Sequence, residues 1–338
     1  MATRIEFIDP RLDVSSLKGR SVLITGGAAG IGLACATRIA EAGALVTIAD
    51  LQNASGQTAA RDLASKGHGV QFVQCDVTNY TAQVDMFQKA ITFGGGKVDI
   101  VIPNAGIVAE QNLFKMVPAD VLSLDSPPPP EPGYTGCDVN LQAVYNTCYL
   151  AMHYFRLPRD AGDIYNRSII LIGSLAGYVG FPPSSTYSVS KFGVRGLFYS
   201  IRDQATHEIP AVRVNLVAPW FIETAMTKTE EFLSSEAGFL IKVMGFAPMD
   251  RLVAAVLQFA ANDKLHGRAA GIFPLGNEDL SDDLEGAYAG LVVQKHMQDV
   301  MVKVSKAMQE MEAEKNKLSR QDSATTATTT SKVSGFLS

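Results

Sequence analysis

A doubly wound α/β domain, one parallel sheet with helices on both faces, is the fold this sequence predicts. Three observations predict it. Short aliphatic and β-branched runs alternate with longer helical patterns from Ser21 onward. The first run closes on a glycine-rich turn that opens a helix. The 338 residues, 47% of them hydrophobic, suffice for one large core with appendages.

The first strand is read over Ser21 to Ile24, where no residue is charged and burial on both faces is expected. It runs into Thr25-Gly-Gly-Ala-Ala-Gly-Ile-Gly32, and a helical pattern follows from Leu33 to Ala42. Such a loop lets backbone approach a pyrophosphate, while the helix amino terminus offers free N–H groups and positive dipole to the anion. Gly26, Gly30 and Gly32 would carry it. The second strand, Leu45 to Ala49, delivers Asp50 about 20 residues past the loop, where a dinucleotide fold places its ribose-binding acid. Asp50 would accept from the adenine ribose hydroxyls and repel a 2'-phosphate, and Ala29 and Leu51 carry no charge to attract one. NAD is therefore expected over NADP.

A helix over Ser55 to Lys66 and a strand over Val70 to Gln74 lead to Asp76, which lies near the expected adenine or else caps the helix starting near Tyr80. The fourth strand, Val98 to Ile102, ends in Pro103-Asn104-Ala105-Gly106, a turn with little bulk that leaves room for a cofactor. From Gly136 to Phe155 the pattern is apolar nearly all round, as in a helix covered by the sheet on one side and a partner subunit on the other.

Ile169 to Ile172 form a continuous aliphatic run, and Gly173 breaks it so that Ser174 lands at a strand's carboxyl end. Pro182 and Pro183 stop any early helix, Ser184 or Ser185 caps the next one, and Tyr187 and Lys191 project from its same face. A hydroxyl, a phenol and an ammonium then converge. A free tyrosine titrates near ~10, and a neighbouring cation favours its phenolate, which suits proton exchange with a substrate alcohol. An isolated YxxxK more often marks a core aromatic beside a solvated lysine; the glycine loop and Asp50 are what raise it above that reading here.

Val212 to Val217 read as the next strand. Residues 225 to 249, with Met226, Phe232, Phe239, Leu240, Met244 and Phe246, read as a lid, either packed shut or rimming a large hydrophobic substrate. A helix over Arg251 to Ala261 and a strand near Gly271 to Leu275 complete the sheet.

In this order, TGGAAGIG at 25–32, Asp50, Asp76-Val77, Asn104-Ala105-Gly106, Asn140, Ser174, Tyr187 with Lys191, and Pro219 with Thr224 resemble the motifs of the short-chain dehydrogenase/reductase family over roughly residues 17 to 276. The resemblance implies a single Rossmann-type domain that interconverts a secondary alcohol and a ketone, with hydride passing to or from a nicotinamide. It implies a catalytic group in which Ser174 holds the substrate oxygen, Tyr187 takes its proton, Lys191 binds the nicotinamide ribose, and Asn140 helps hold a water on the proton path. It implies a cofactor-binding set of Gly26, Gly30, Ile31, Gly32, Asp50, Asp76, Val77, Asn104, Gly106, Tyr187, Lys191, Pro219, Ile222 and Thr224. Within the family, Asp50 and the segments Gln74–Val77 and Ser174–Gly177 are most similar to NAD-dependent enzymes of the 15-hydroxyprostaglandin dehydrogenase type. Two departures stand out. Pro103 replaces the first asparagine of the family's usual turn, and the proline-rich stretch Asp125 to Gly133 reads as an inserted rim loop.

The domain is expected over 17–280, after a lead-in at 1–16. Beyond it, Leu291, Met297, Val300, Met301, Val304, Met308, Met311 and Leu318 are interleaved with charges, as in an amphipathic helix over 287–320 that packs on a folded surface apart from the chemistry. Residues 321–338 have little to bury and read as a disordered tail.

The composition excludes other classes. A net charge of -5 gives no footprint for nucleic acid. No apolar run approaches the ~20 residues of a membrane span, and the start mixes charges without the apolar core of a secretory signal. The four cysteines, Cys35, Cys75, Cys137 and Cys148, and the five histidines lack metal-ligand spacing, so no metal is expected. Reduced thiols point to a cytoplasmic protein. The expected partners are a small-molecule alcohol or ketone and further copies of the chain, as a homodimer or homotetramer. The rival readings are an NAD-binding sensor or scaffold without turnover, and a ketone reductase working in the opposite direction.

Overall fold

The structure, a computed structural model, describes residue 7 and residues 12–109, 113–116, 123–160, 162–280, 295–296 and 298–317. Its strands follow the apolar runs: β1 (Ser21–Thr25), β2 (Leu45–Asp50), β3 (Val70–Gln74), β4 (Ile100–Ile102), β5 (Arg167–Ile172), β6 (Val212–Pro219) and β7 (Ala269–Ile272). The central strands β1 and β6 are buried at every position, as required when helices cover both faces. Asn277–Asp279 adds a short strand, β8, that the sequence reading did not foresee.

The strand order is β3-β2-β1-β4-β5-β6-β7-β8, parallel through β7, with β8 antiparallel to it. The chain winds outward in both directions from the boundary between β1 and β4, and a crevice at the carboxyl ends of these strands follows from that reversal. The connecting helices are α1 (Gly30–Glu41), α2 (Asn53–Ser65), α3 (Tyr80–Phe93), α4 (Ala143–Tyr154), α5 (Ser185–Ala205), α6 (Glu230–Ser234), α7 (Glu236–Met244) and α8 (Met249–Ala261). Residues 298–317 form a further helix, α9. No described helix is long and apolar enough to cross a membrane.

The helix starts repay a closer look. Asn79 caps α3 by accepting from the Ala82 N–H, so Asp76 is not that helix's cap. Ser184 caps α5, accepting from the Tyr187 N–H. By contrast α1 begins at Gly30, earlier than the apolar pattern suggested, and Ala29 before it supplies no side-chain cap. Gly30 and Ile31, its first residues, border the crevice instead. Just before α4, Asp138–Gln142 forms a turn of π-helix, the local irregularity that carries Asn140.

At the opposite, amino-terminal ends of the strands lies a cluster of charge. Asp99 is fully buried ahead of β4 and accepts from the Ser21 N–H at 2.8 Å. Arg159 stands 2.7 Å from Asp99 and 3.3 Å from Asp163, while Arg20 and Lys97 reach Asp163 at 2.6 and 2.8 Å. Burial alone would raise the Asp163 carboxyl, but hydrogen bonds from Lys97, Arg20 and the Tyr165 N–H outweigh it and hold it well below the usual range.

Candidate active site

The carboxyl ends of the strands open into a cavity of about 1640 Å³. This exceeds the roughly 300–1,000 Å³ of an ordinary ligand pocket, and is large enough to hold two molecules together. All the expected site residues except Gly32 and Asn140 line it.

Its floor at β1 is shaped by glycine. A Cβ on Gly26, whose φ is +63°, would lie 2.7 Å from the Ala105 Cα, and one on Gly32 would collide with the Gly26 carbonyl. Asn104 binds this floor to the next turn by donating from its amide to the Thr25 and Gly26 carbonyls, each at 2.9 Å. Those bonds brace the turn that begins with Pro103. The uncapped start of α1 opens into the same space, with Gly30 and Ile31 on the wall.

At the end of β2 the Asp50 carboxylate accepts from the Ala28 and Gln52 N–H groups, both at 3.0 Å. It holds the glycine loop against the strand and also faces the cavity. Ala29, Leu51 and Gln52 around it carry no charge. Asp76 closes a small turn on Thr78 and lines the cavity beside Val77.

Ser174, Tyr187 and Lys191 come together where β5 meets α5. The Ser174 hydroxyl accepts from the Ala176 N–H at 3.1 Å and hydrogen-bonds to Tyr187. Burial pushes the Tyr187 phenol above its ordinary value, and the Ser174 bond pulls it partly back. Lys191 Nζ sits 5.7 Å from the Tyr187 ring centroid and donates to the Ile172 carbonyl at 3.1 Å. Burial pushes Lys191 down to about 8. The sequence had suggested a phenolate favoured by the lysine. Here desolvation dominates both groups and favours the neutral phenol, because Lys191 is buried and Tyr187 half-buried against Phe181.

Asn140 is fully buried. Its amide accepts from the Ile107 N–H and donates to the Ile107 carbonyl, both at 2.8 Å, and also donates to Ser190 Oγ at 3.1 Å. Gly106 keeps the space between Asn140 and Lys191 clear: a Cβ there would lie 3.3 Å from the Asn140 oxygen and 3.8 Å from Lys191 Nζ.

Beyond β6, Pro219, Ile222 and Thr224 form the opposite wall. Thr227, which the sequence reading missed, clamps this segment: its hydroxyl donates to the Ile222 carbonyl at 2.7 Å and accepts from the Thr224 N–H at 3.0 Å. Two hydroxyl residues three apart after a proline turn were the available signal. Aromatic rings continue the wall, with Phe181 against Tyr187 at 5.5 Å and Phe221 against Trp220 at 4.8 Å and Phe232 at 5.8 Å. The expected lid supplies Met226, Phe232, Phe239 and Leu240, whereas Met244 and Phe246 do not line the cavity. Helix α9 supplies Val304, Met308 and Met311. The expectation that this helix stands apart from the chemistry is therefore corrected, since its apolar face closes the same cavity.

These features fit a dinucleotide, with glycines admitting the backbone, an uncapped helix start for phosphate and a buried cation without an ion-pair partner among the described residues. The profile described as "short chain dehydrogenase" matches residues 20–232, and the chain belongs to that family of oxidoreductases, whose members use a nicotinamide cofactor. It is 42% identical to the 5'-hydroxyaverantin dehydrogenase of Dothistroma septosporum, over 85% of this chain and 94% of that protein. It is 31% identical to the NADP-dependent dehydrogenase M3 of a Phoma species, over 79% of this chain and 78% of that one. The fold superposes on a short-chain dehydrogenase/reductase crystal structure from Mycobacterium marinum with a TM-score of 0.63 and 27% identity, covering 78% of this chain and 97% of that one. The finer likeness, to enzymes of the 15-hydroxyprostaglandin dehydrogenase type, is not what these relatives display.

Proposed function

We propose that this enzyme oxidises a secondary alcohol on a large hydrophobic molecule to the ketone, using NAD. The observation that carries the reading is the meeting of Ser174, Tyr187 and Lys191 on the wall of a cavity whose other end holds the glycine loop and Asp50. When bound, the nicotinamide supplies the hydride acceptor. Ser174 holds the substrate oxygen, and Tyr187, once its own proton has been released to solvent, takes the hydroxyl proton as the carbonyl forms. Lys191, pushed to about 8, still carries its charge at neutral pH, where it favours the phenolate that loss of the Tyr187 proton leaves and would bind the nicotinamide ribose. Asn140 acts as a positioning residue: it fixes the segment after Gly106 and leaves a path from Lys191 outward.

Gly26, Gly30, Ile31 and Gly32 would hold the pyrophosphate, Asp50 the adenine ribose, and Asp76 with Val77 the adenine. Asn104, Gly106, Pro219, Ile222 and Thr224 would frame the nicotinamide half. NAD is favoured by the Asp50 carboxylate and by the uncharged Ala29, Leu51 and Gln52 beside it. The name of the Dothistroma relative makes 5'-hydroxyaverantin the first substrate to try. The exposed Tyr145 and Tyr149 on α4, with Val189 and Phe192 on α5, support the expected homodimer or homotetramer, and we place the enzyme in the cytoplasm.

The test is turnover of 5'-hydroxyaverantin and a panel of secondary alcohols with NAD and with NADP, repeated on Asp50→Ala. The variant should weaken NAD about 10-fold and relax discrimination against NADP, because an acceptor and a repelling charge are both lost. An unmodified enzyme that prefers NADP overturns the ribose assignment, and one that turns over no alcohol with either cofactor overturns the reading as a whole.

A further inference from the structure

Helix α9 lies outside the residues matched by the family profile, yet Val304, Met308, Met311 and Lys315 all line the cavity. Their spacing of four, three and four places them on one helical face, about 16 Å long. Val300 and Val304 are buried, which anchors the amino-terminal half of the helix. Farther along, Met308 and Met311 are each 59% exposed although they face the cavity. Among the described residues little covers their apolar surface, which borders the cavity.

The direction of approach shows which part of that space the helix serves. His296, just ahead of α9, stacks on Phe273 at 4.3 Å and lies 3.5 Å from Glu278 of β8. The helix thus comes in from the β7–β8 edge of the sheet, whereas Asp50 and Asp76 stand at the ends of β2 and β3 on the opposite edge. Phe221, Phe232 and Phe239 line the same cavity as Met308 and Met311.

We propose that α9 is the substrate-selecting wall of this enzyme, and that Met308 and Met311 facing the phenylalanines form a slot for a flat, fused-ring aromatic alcohol. This rests on the proposed alcohol oxidation and names its substrate class. Thioether sulfur makes favourable contacts with aromatic rings, and unbranched methionines adjust to an extended planar surface. Rings packed edge to face on the other side favour the same shape.

The chain has one tryptophan, Trp220, and it lines this cavity. The probe is 1-(9-anthryl)ethanol, a three-ring secondary alcohol that absorbs where tryptophan emits, so energy transfer from Trp220 reports its binding without turnover. Met308→Ala/Met311→Ala should raise its Kd at least about 10-fold. It should also lower kcat/KM for the anthryl alcohol relative to 2-propanol by a similar factor, with the cofactor Kd unchanged. Met301→Ala, 56% exposed in the unmodified protein and off the cavity, should change none of these. No energy transfer in the unmodified enzyme, or equal Kd values in the double variant, overturns the proposal. If the probe binds but no alcohol is oxidised with either cofactor, alcohol oxidation fails, and the Kd comparison still decides whether α9 forms the wall.

Discussion

Two carboxylates share three cations at the amino ends of the strands, whereas at their carboxyl ends one buried ammonium has a carbonyl oxygen as its neighbour and no ion pair among the described residues. Both clusters are polar groups inside an α/β core, and both pay the desolvation that burial imposes. The first answers it with opposite charge, so that Asp163 stays ionised far into acid. The second leaves it unanswered: Tyr187 is pushed up and Lys191 down to about 8. One end of the sheet is arranged for stability, and the other leaves two buried groups shifted by desolvation, the ammonium toward neutral pH and the phenol away from it.

The largest expected effect falls at the catalytic end. Tyr187→Phe removes the proton acceptor and should lower kcat by about 10²- to 10⁴-fold. Cofactor affinity and melting temperature should hardly move, because the ring and its contact with Phe181 remain. Steady-state kinetics with a cofactor titration checks both halves, and near-normal turnover would remove Tyr187 from the mechanism.

At the other end the sign reverses, with stability lost and chemistry kept. Asp163→Asn leaves Arg20, Lys97 and Arg159 facing one another around Asp99, at a cost of about 3 kcal/mol at neutral pH. A carboxyl depressed in the folded state contributes stability above its unfolded value near ~3.9, and that contribution disappears as pH falls through the folded value. The gap between the two proteins in denaturant unfolding should therefore be full at pH 7 and shrink below pH ~4. An equal gap at all pH values would show that the charge is not what Asp163 contributes.

Lys191→Met probes the contrast directly. The lysine titrates at about 8 when folded and near ~10.4 when unfolded, so the folded protein binds fewer protons between those values and gains stability as pH rises through that window. Below it the buried charge is a burden. Methionine of similar length should therefore keep or raise the stability of the cofactor-free protein at pH 7, by roughly 2 kcal/mol at most after losing the bond to Ile172, and its melting temperature with it. The advantage should fade by pH ~10. A lower melting temperature at pH 7 would mean that Lys191 supports the fold as the amino-end cluster does.

The same contrast explains how much the sequence revealed. The strands β1, β2, β5 and β6 lie within two residues of their apolar runs, because burial on both faces leaves a continuous signal, and the half-buried edge strand β3 is found at its expected bounds. Strand β4 is shorter than its run, since Asp99 and the residues before it turn to the charge cluster. Strand β8, Asn-Glu-Asp, has no apolar signal and depends on pairing with β7, helped by Asp279 against Arg268. The glycine loop, Asp50, Ser174, Tyr187 and Lys191 were legible because each needs one residue type at one spacing. Ser190, Thr227 and the aromatic wall were not, because their work depends on what they meet across the fold. Helix α9 shows the limit most clearly. A seven-residue spacing through Met297, Val304 and Met311 was visible in the sequence, but Val304 is buried while Met311 is largely exposed toward the cavity. Periodicity revealed the amphipathic pattern and could not say that a cavity lay beneath half of it.

The smallest expected effect is a change in pH profile. The Ser174 hydrogen bond is the influence that pulls Tyr187 back from the rise that burial imposes. Ser174→Ala removes it, so Tyr187 should titrate higher still, and the rising limb of kcat against pH for alcohol oxidation should move to more alkaline values. Above about 8 Lys191 begins to lose its charge, so the variant's limb would rise while the lysine's help declines, leaving a lower and narrower maximum. Profiles measured from pH 6 to 10 at saturating cofactor would show the displacement. A uniform loss of rate with the limb in place would mean that Ser174 only positions substrate and does not tune Tyr187.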